Sequence, residues 1–83
     1  MEIQIHPHAK ERMLERGVSE AEIMDTLNNG ELFPAKFERA GFRRNFPYNT
    51  TWHGHFYYIK QVEIITVKEN NRIVIITVIA RYF

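Results

Sequence analysis

The 83-residue chain carries 11 lysines and arginines against 10 aspartates and glutamates, a net charge of +1, and no cysteine. A chain this short forms one domain that buries only about 60 to 65% of the surface its unfolded form exposes, and without cysteine it has no disulfide framework, no thiolate metal site and no thiol nucleophile. No run approaches the roughly 20 apolar residues of a membrane span, and Met1 to His6 lack the basic and apolar regions of a signal peptide. The expectation is a cytoplasmic domain with no membrane partner.

In chain order, Ile3 to Ile5 is either a short first strand or an extended lead-in. Pro7 favours a helix starting around it, and Gly17 supplies a left-handed cap at its far end. Ser19-Glu20-Ala21-Glu22 has the S-x-x-E form of a capping box, which predicts a second helix from about 20 to 28, ended by Asn28-Asn29-Gly30. Its Ala21, Ile23, Met24 and Leu27 form the apolar side. Phe37 to Phe46 then reads as a strand and Pro47 to Thr51 as a loop. Phe56 to Lys68 is dense in aromatic and β-branched residues and must be extended. Glu69 to Arg72 makes a hairpin turn. Ile73 to Phe83 is apolar on both faces, which predicts a strand that is central in the sheet or covered on both sides. The order of helix, helix, then strands gives an α+β domain, with two N-terminal helices packed on an antiparallel sheet of three to four strands.

Charge divides unevenly along this order. Residues 1–31 hold three cationic against seven anionic groups, a balance of −4, and residues 32–83 hold eight against three, a balance of +5. A basic sheet region suits a polyanion such as RNA, or an acidic protein partner.

Within the first helix, His8, Arg12 and Arg16 recur at four-residue intervals and so share one stripe. Ala9 and Met13 lie beside them on the apolar side. A polar stripe bordering a buried face can form one wall of a cleft. The same residues also fit a solvated helix face, with Glu15 pairing to Arg12 at i,i+3.

The pattern H-A-x-x-R-M-x-x-R-G-[IV]-S from His8 to Ser19, the helix end Asn29-Gly30-Glu31, the segment Tyr58 to Ile64 and the closing Ile75-Ile76-Thr77-Val78 together resemble the domain-of-unknown-function 4258 family of small bacterial domains. The resemblance spans nearly the whole chain. That family is similar in layout to the BrnT and RelE type of toxin, whose members are ribonucleases with N-terminal helices over a curved antiparallel sheet. The resemblance therefore implies a toxin-like, metal-independent ribonuclease or an attenuated relative, held by an acidic antitoxin-like protein. A noncatalytic module that binds protein or nucleic acid is the alternative.

RNA cleavage without metal needs a base for the 2′-hydroxyl, cations for the charged phosphorane and an acid for the leaving 5′-oxygen. An imidazole ordinarily titrates close to neutrality, which makes His8 the candidate for proton transfer. Arg12 and Arg16 offer bidentate grips on phosphate. From the sheet, Lys60 and Arg81 are the nearest expected cations, with Tyr58 or Tyr82 as stacking surface or proton donor. This choice follows the residue types that RelE-type enzymes use. The candidate catalytic set is thus His8, Arg12, Lys60 and Arg81, and the candidate RNA-binding set is Arg16, Arg43, Arg44, Tyr58 and Tyr82, with Phe42 and Phe46 flanking the Arg43-Arg44 pair. Each has a plainer role as well. Lys60 and Arg81 can lay their stems over apolar neighbours, and the tyrosines can be core or edge aromatics.

The pairs His6-Pro7-His8 and His53-Gly54-His55 permit a separate zinc or nickel reading. Pro7, by starting a helix, turns His6 and His8 apart, so the expected site uses neither metal nor cofactor. Trp52 and the residues around His53 and His55 also have the composition of a flap beside the cleft.

Overall fold

A computed structural model describes residues 2–83. In chain order the elements are β1 (Glu2–Ile5), α1 (Pro7–Arg16), α2 (Glu20–Asn29), β2 (Glu31–Ala35), β3 (Arg39–Trp52), β4 (His55–Glu69) and β5 (Arg72–Tyr82). Both helices begin and end where their capping residues dictate. Pro7 opens α1, the His6 side chain accepts from the His8 N–H, and Gly17 closes the helix at φ 68°. Ser19 and Glu22 complete a reciprocal capping box at the start of α2, satisfying two N–H groups that the first turn would otherwise leave free.

The strands form one sheet in the order β1-β5-β4-β3-β2. It has five strands rather than three to four, and it is mixed rather than antiparallel, because β1 runs parallel to β5 while all other neighbours are antiparallel. β2 is hidden in the sequence by Pro34, which cannot donate to a ladder and is tolerated here because β2 is an edge strand. Ile3 to Ile5 is a strand and not a lead-in, paired from Glu2↔Arg72 to Ile5↔Ile75.

The predicted loop at Pro47 to Thr51 lies inside β3. Pro47 pairs with Ile59 and Thr50 with Tyr57, so Tyr48 and Asn49 together stand opposite Tyr58. Asn49 absorbs the extra residue at φ 49°, a β-bulge built from residues whose composition mimics a loop. The proposed flap is a two-residue turn, His53 at φ 49° and Gly54 at φ 83°, of the kind that matches strand twist. Trp52 stacks on Tyr82 with ring centroids 5.0 Å apart.

Helix-facing residues make the core. Ala9, Val18 and Ile23 from the helical layer meet Val62, Ile64, Ile75 and Val78 from β4 and β5. The opposite face of the sheet carries no helix among the described residues, so of the two alternatives for the last strand it is the interior place that holds, β5 lying between β1 and β4. Across the ladder from β4, Thr77 stands opposite Ile65 and Val74 opposite Val67. Phe33 lies so close over Gly41 that a Cβ at that position would fall 2.3 Å from its ring. No helix among the described residues is long and apolar enough to cross a membrane.

Candidate functional site

β1 ends at Ile5, but β5 continues for seven more residues, and α1 runs along that continuation. His6 N–H donates to the Ile75 carbonyl at the start, and at the far end the Arg16 guanidinium donates to the Val78 carbonyl. The helix is thus pinned beside the strand at both ends. Between them lies a cleft of about 350 Å³ lined by His8, Arg12 and Arg16 from the helix and by Ile76, Thr77 and Ile79 from β5. The structure therefore brings the whole predicted stripe into one cleft wall. A hollow of about 390 Å³ is walled by apolar residues such as Leu32, Phe42 and Ile73 together with Glu38 and Lys68, so it is the first cleft that gathers the histidine and the two arginines of α1.

The charges in the cleft are partly engaged. Arg12 donates to Glu15 at 3.0 Å across an exposed i,i+3 pair, a contact worth a few tenths of a kcal/mol that an incoming anion displaces cheaply. Arg16 is held by Val78, and no carboxylate lines the cleft.

Lys60 does not join this group. Its side chain is 5% exposed and its ammonium donates to Glu22 Oε1 at 2.7 Å and to the Gly17 carbonyl, beneath the α1–α2 junction. Arg81 lies on the helix-free face, where it and Arg43 share Oε2 of the buried Glu63 at 2.8 and 3.2 Å. Arg43 also sits over the Phe33 ring at 4.5 Å. Arg44 ties β3 to α2, donating to Asp25 at 3.2 Å and to the Asn29 carbonyl. Tyr58 is two-thirds exposed and packs edge-on to Phe56, outside the cleft lining. The carboxylates that claim these cations were not singled out as partners in the sequence. Glu22 announced itself only as a capping residue, and Glu63 lies 18 residues from Arg81.

Tyr82 is also committed. Its hydroxyl donates to the Arg16 carbonyl at 2.6 Å, and its ring contacts Tyr48, Trp52 and Tyr57. Burial first, then the neighbouring Tyr48 and Glu22, push its pKa up to about 12. An acid whose folded pKa exceeds its unfolded value keeps its proton in the folded state after the unfolded chain has released it. Stability from this site is thus complete below pH 10 and declines between pH 10 and 12. In an ultraviolet titration of phenolate absorbance, one of the four tyrosines should ionise late, and Tyr82→Phe should remove that late step. A late step that persists in the variant assigns it to another ring.

Pro7 does not turn His6 and His8 apart, since their rings stack with centroids 5.8 Å apart at the start of α1, and His53 and His55 flank Gly54 in the β3–β4 turn. Among the described residues no group of three or more histidines, cysteines or carboxylates is placed to hold a metal ion.

Comparison with known families matches residues 5–80 to the model described as Domain of unknown function (DUF4258). Neither the curated proteins nor the solved structures contain a match.

Proposed function

The chain belongs to the DUF4258 family, whose description assigns no function, and we propose for it a metal-independent ribonuclease of the toxin type, or an attenuated relative. The observation that carries the reading is the convergence of His8, Arg12 and Arg16 on one cleft without a competing carboxylate in its lining. The layout of two N-terminal helices over a largely antiparallel sheet supports the comparison with BrnT and RelE-type toxins, as an analogy of fold.

In this reading His8 takes the proton of the 2′-hydroxyl as that oxygen attacks phosphorus, and Arg12 and Arg16 hold the phosphoryl oxygens as charge builds on them. The 5′-oxygen leaves with a proton from water or from the imidazolium just formed, giving a 2′,3′-cyclic phosphate and a 5′-hydroxyl end. A single imidazole in the cleft, with no second acid or base lining it, predicts a slow enzyme. Lys60 and Arg81, the other two expected catalytic residues, act here as structural ties. An acidic protein partner seated in the same cleft would hold the activity in check.

Incubation of the protein with a labelled mixed-sequence RNA in EDTA across pH 5 to 9 tests this. Cleavage to cyclic-phosphate ends is expected, falling about 100-fold in His8→Ala and in Arg12→Ala, while Lys60→Met retains activity. The engagement of Arg12 and Arg16 by Glu15 and Val78 favours a second reading, a noncatalytic RNA-binding module. RNA that is retained but left intact at every pH, with no slowing of growth on expression, selects that reading over the first.

A further inference from the structure

Among the described residues, the outer edge of β5 has no strand beside it beyond Ile75, where β1 stops. Phe83 and Ile59 exchange both backbone hydrogen bonds, so the backbone of residue 83 faces β4. Alternate residues on a strand turn their N–H and C=O groups to opposite edges. Val78, Ala80 and Tyr82 therefore turn theirs outward, and the Arg16 guanidinium does meet the Val78 carbonyl there. An unpaired edge of this kind is a template for another strand.

The wall above the edge is periodic in the same direction. His8, Arg12 and Arg16 follow one another at about 6 Å along α1, four residues at about 1.5 Å each. Alternate residues of an extended chain follow at about 6.6 Å. A strand laid against β5 under α1 would thus present every second side chain to one of the three helix groups. Its remaining side chains would fall on the other face of the sheet, beside Thr77 and Ile79, which line the same cleft.

We infer that this edge docks an extended segment of a protein partner in which acidic residues alternate with apolar β-branched ones, added to the sheet as a sixth strand beside β5. The acidic positions meet His8, Arg12 and Arg16, and the apolar ones extend the surface of Thr77 and Ile79. Arg16 now holds the place of the incoming strand at Val78. When the strand arrives, its N–H takes that carbonyl and the guanidinium turns to a carboxylate, a stronger charge-assisted partner. A second copy of this chain is a poorer occupant, because β5 against β5 brings Arg12, Arg16 and Arg81 of both copies together. As regulation of the same cleft, the inference rests on its reading as an anion site, whereas its test reads backbone pairing, so docking and cleavage can fail separately.

The probe is a capped eight-residue peptide alternating glutamate and valine. A peptide of the same composition with its glutamates in one block serves as control, and both are titrated into the whole protein. Expected results are at least tenfold tighter binding of the alternating peptide, slowed hydrogen exchange at the amides of Val78 and Ala80, and at least tenfold weaker binding in Arg12→Glu. Arg12 is half-exposed on the surface of α1, so this variant keeps the fold. Equal binding of the two peptides reduces the effect to net charge and overturns the inference. So does unchanged exchange at Val78 and Ala80 under saturating peptide, or self-association of the free protein through this edge.

Discussion

Glu22→Ala is expected to cost about 3 to 5 kcal/mol of folding stability, which for a small domain is most of what it has. Two functions fall on this one carboxylate. It closes the capping box with Ser19, and it is the counter-charge of Lys60, whose ammonium is buried beneath the α1–α2 junction. Its removal leaves that ammonium with the Gly17 carbonyl and no anion, and an uncompensated buried charge is far costlier than the pair is beneficial. The reverse change should be milder. Lys60→Met fills the same space with an apolar chain, and Glu22, about a quarter exposed, keeps both water and Ser19. A loss of about 1 kcal/mol is expected. Urea denaturation of the two variants and their double variant measures the asymmetry. The double variant should recover a large part of what Glu22→Ala loses. Equal losses from the two single variants would show that the ion pair does not organise the junction as described.

Gly30→Ala should be the most damaging of the glycine substitutions for a reason unrelated to backbone freedom. Gly30 has an ordinary φ of −76°, yet a Cβ there would lie 2.4 Å from the Thr26 carbonyl oxygen and 2.8 Å from that of Arg43. Both obstacles are backbone, one in the last turn of α2 and one in β3, so relief requires the helix end to move off the sheet. That displaces the Arg44 bonds to Asp25 and Asn29 as well. A cost of about 3 kcal/mol is expected, seen as a fall of roughly 15 to 20 °C in Tm. Gly54→Ala is the contrast. Its φ is +83° but nothing lies within 4 Å of a Cβ, so conformational strain alone applies, about 1 kcal/mol and roughly 5 °C. Comparable Tm losses for the two would mean that the α2–β2 junction is softer than its packing indicates.

The helices were legible in the sequence because their signals are local. Pro7, Gly17, and Ser19 with Glu22 each act within four residues of the boundary they set. The hairpin turn at Asn70-Asn71 is local in the same way, with φ of 48° and 63°. β2 and the middle of β3 were not legible, since Pro34, Pro47 and Asn49 have loop chemistry and are admitted only by an edge position and a bulge that pairing creates. The cleft wall followed from helical period, but its floor did not. Ile76, Thr77 and Ile79 read as interchangeable members of an apolar run until β1 stops short and exposes that part of β5. Lys60 and Arg81 fall outside the cleft for a related reason. What decides whether a cation is available is its counter-charge, and Glu22 and Glu63 lie 38 and 18 residues away in the chain.

The parallel pairing of β1 with β5 also sets an order of events during synthesis. β1 and α1 are made before β5, yet β1 pairs with it from Glu2↔Arg72 and α1 is tied to it at Val78, 62 residues beyond Arg16. Contacts of such separation form only after a large loop has been closed. Until β5 leaves the ribosome, the His8–Arg12–Arg16 stripe has no cleft to line, and any activity of that cleft is withheld from the nascent chain.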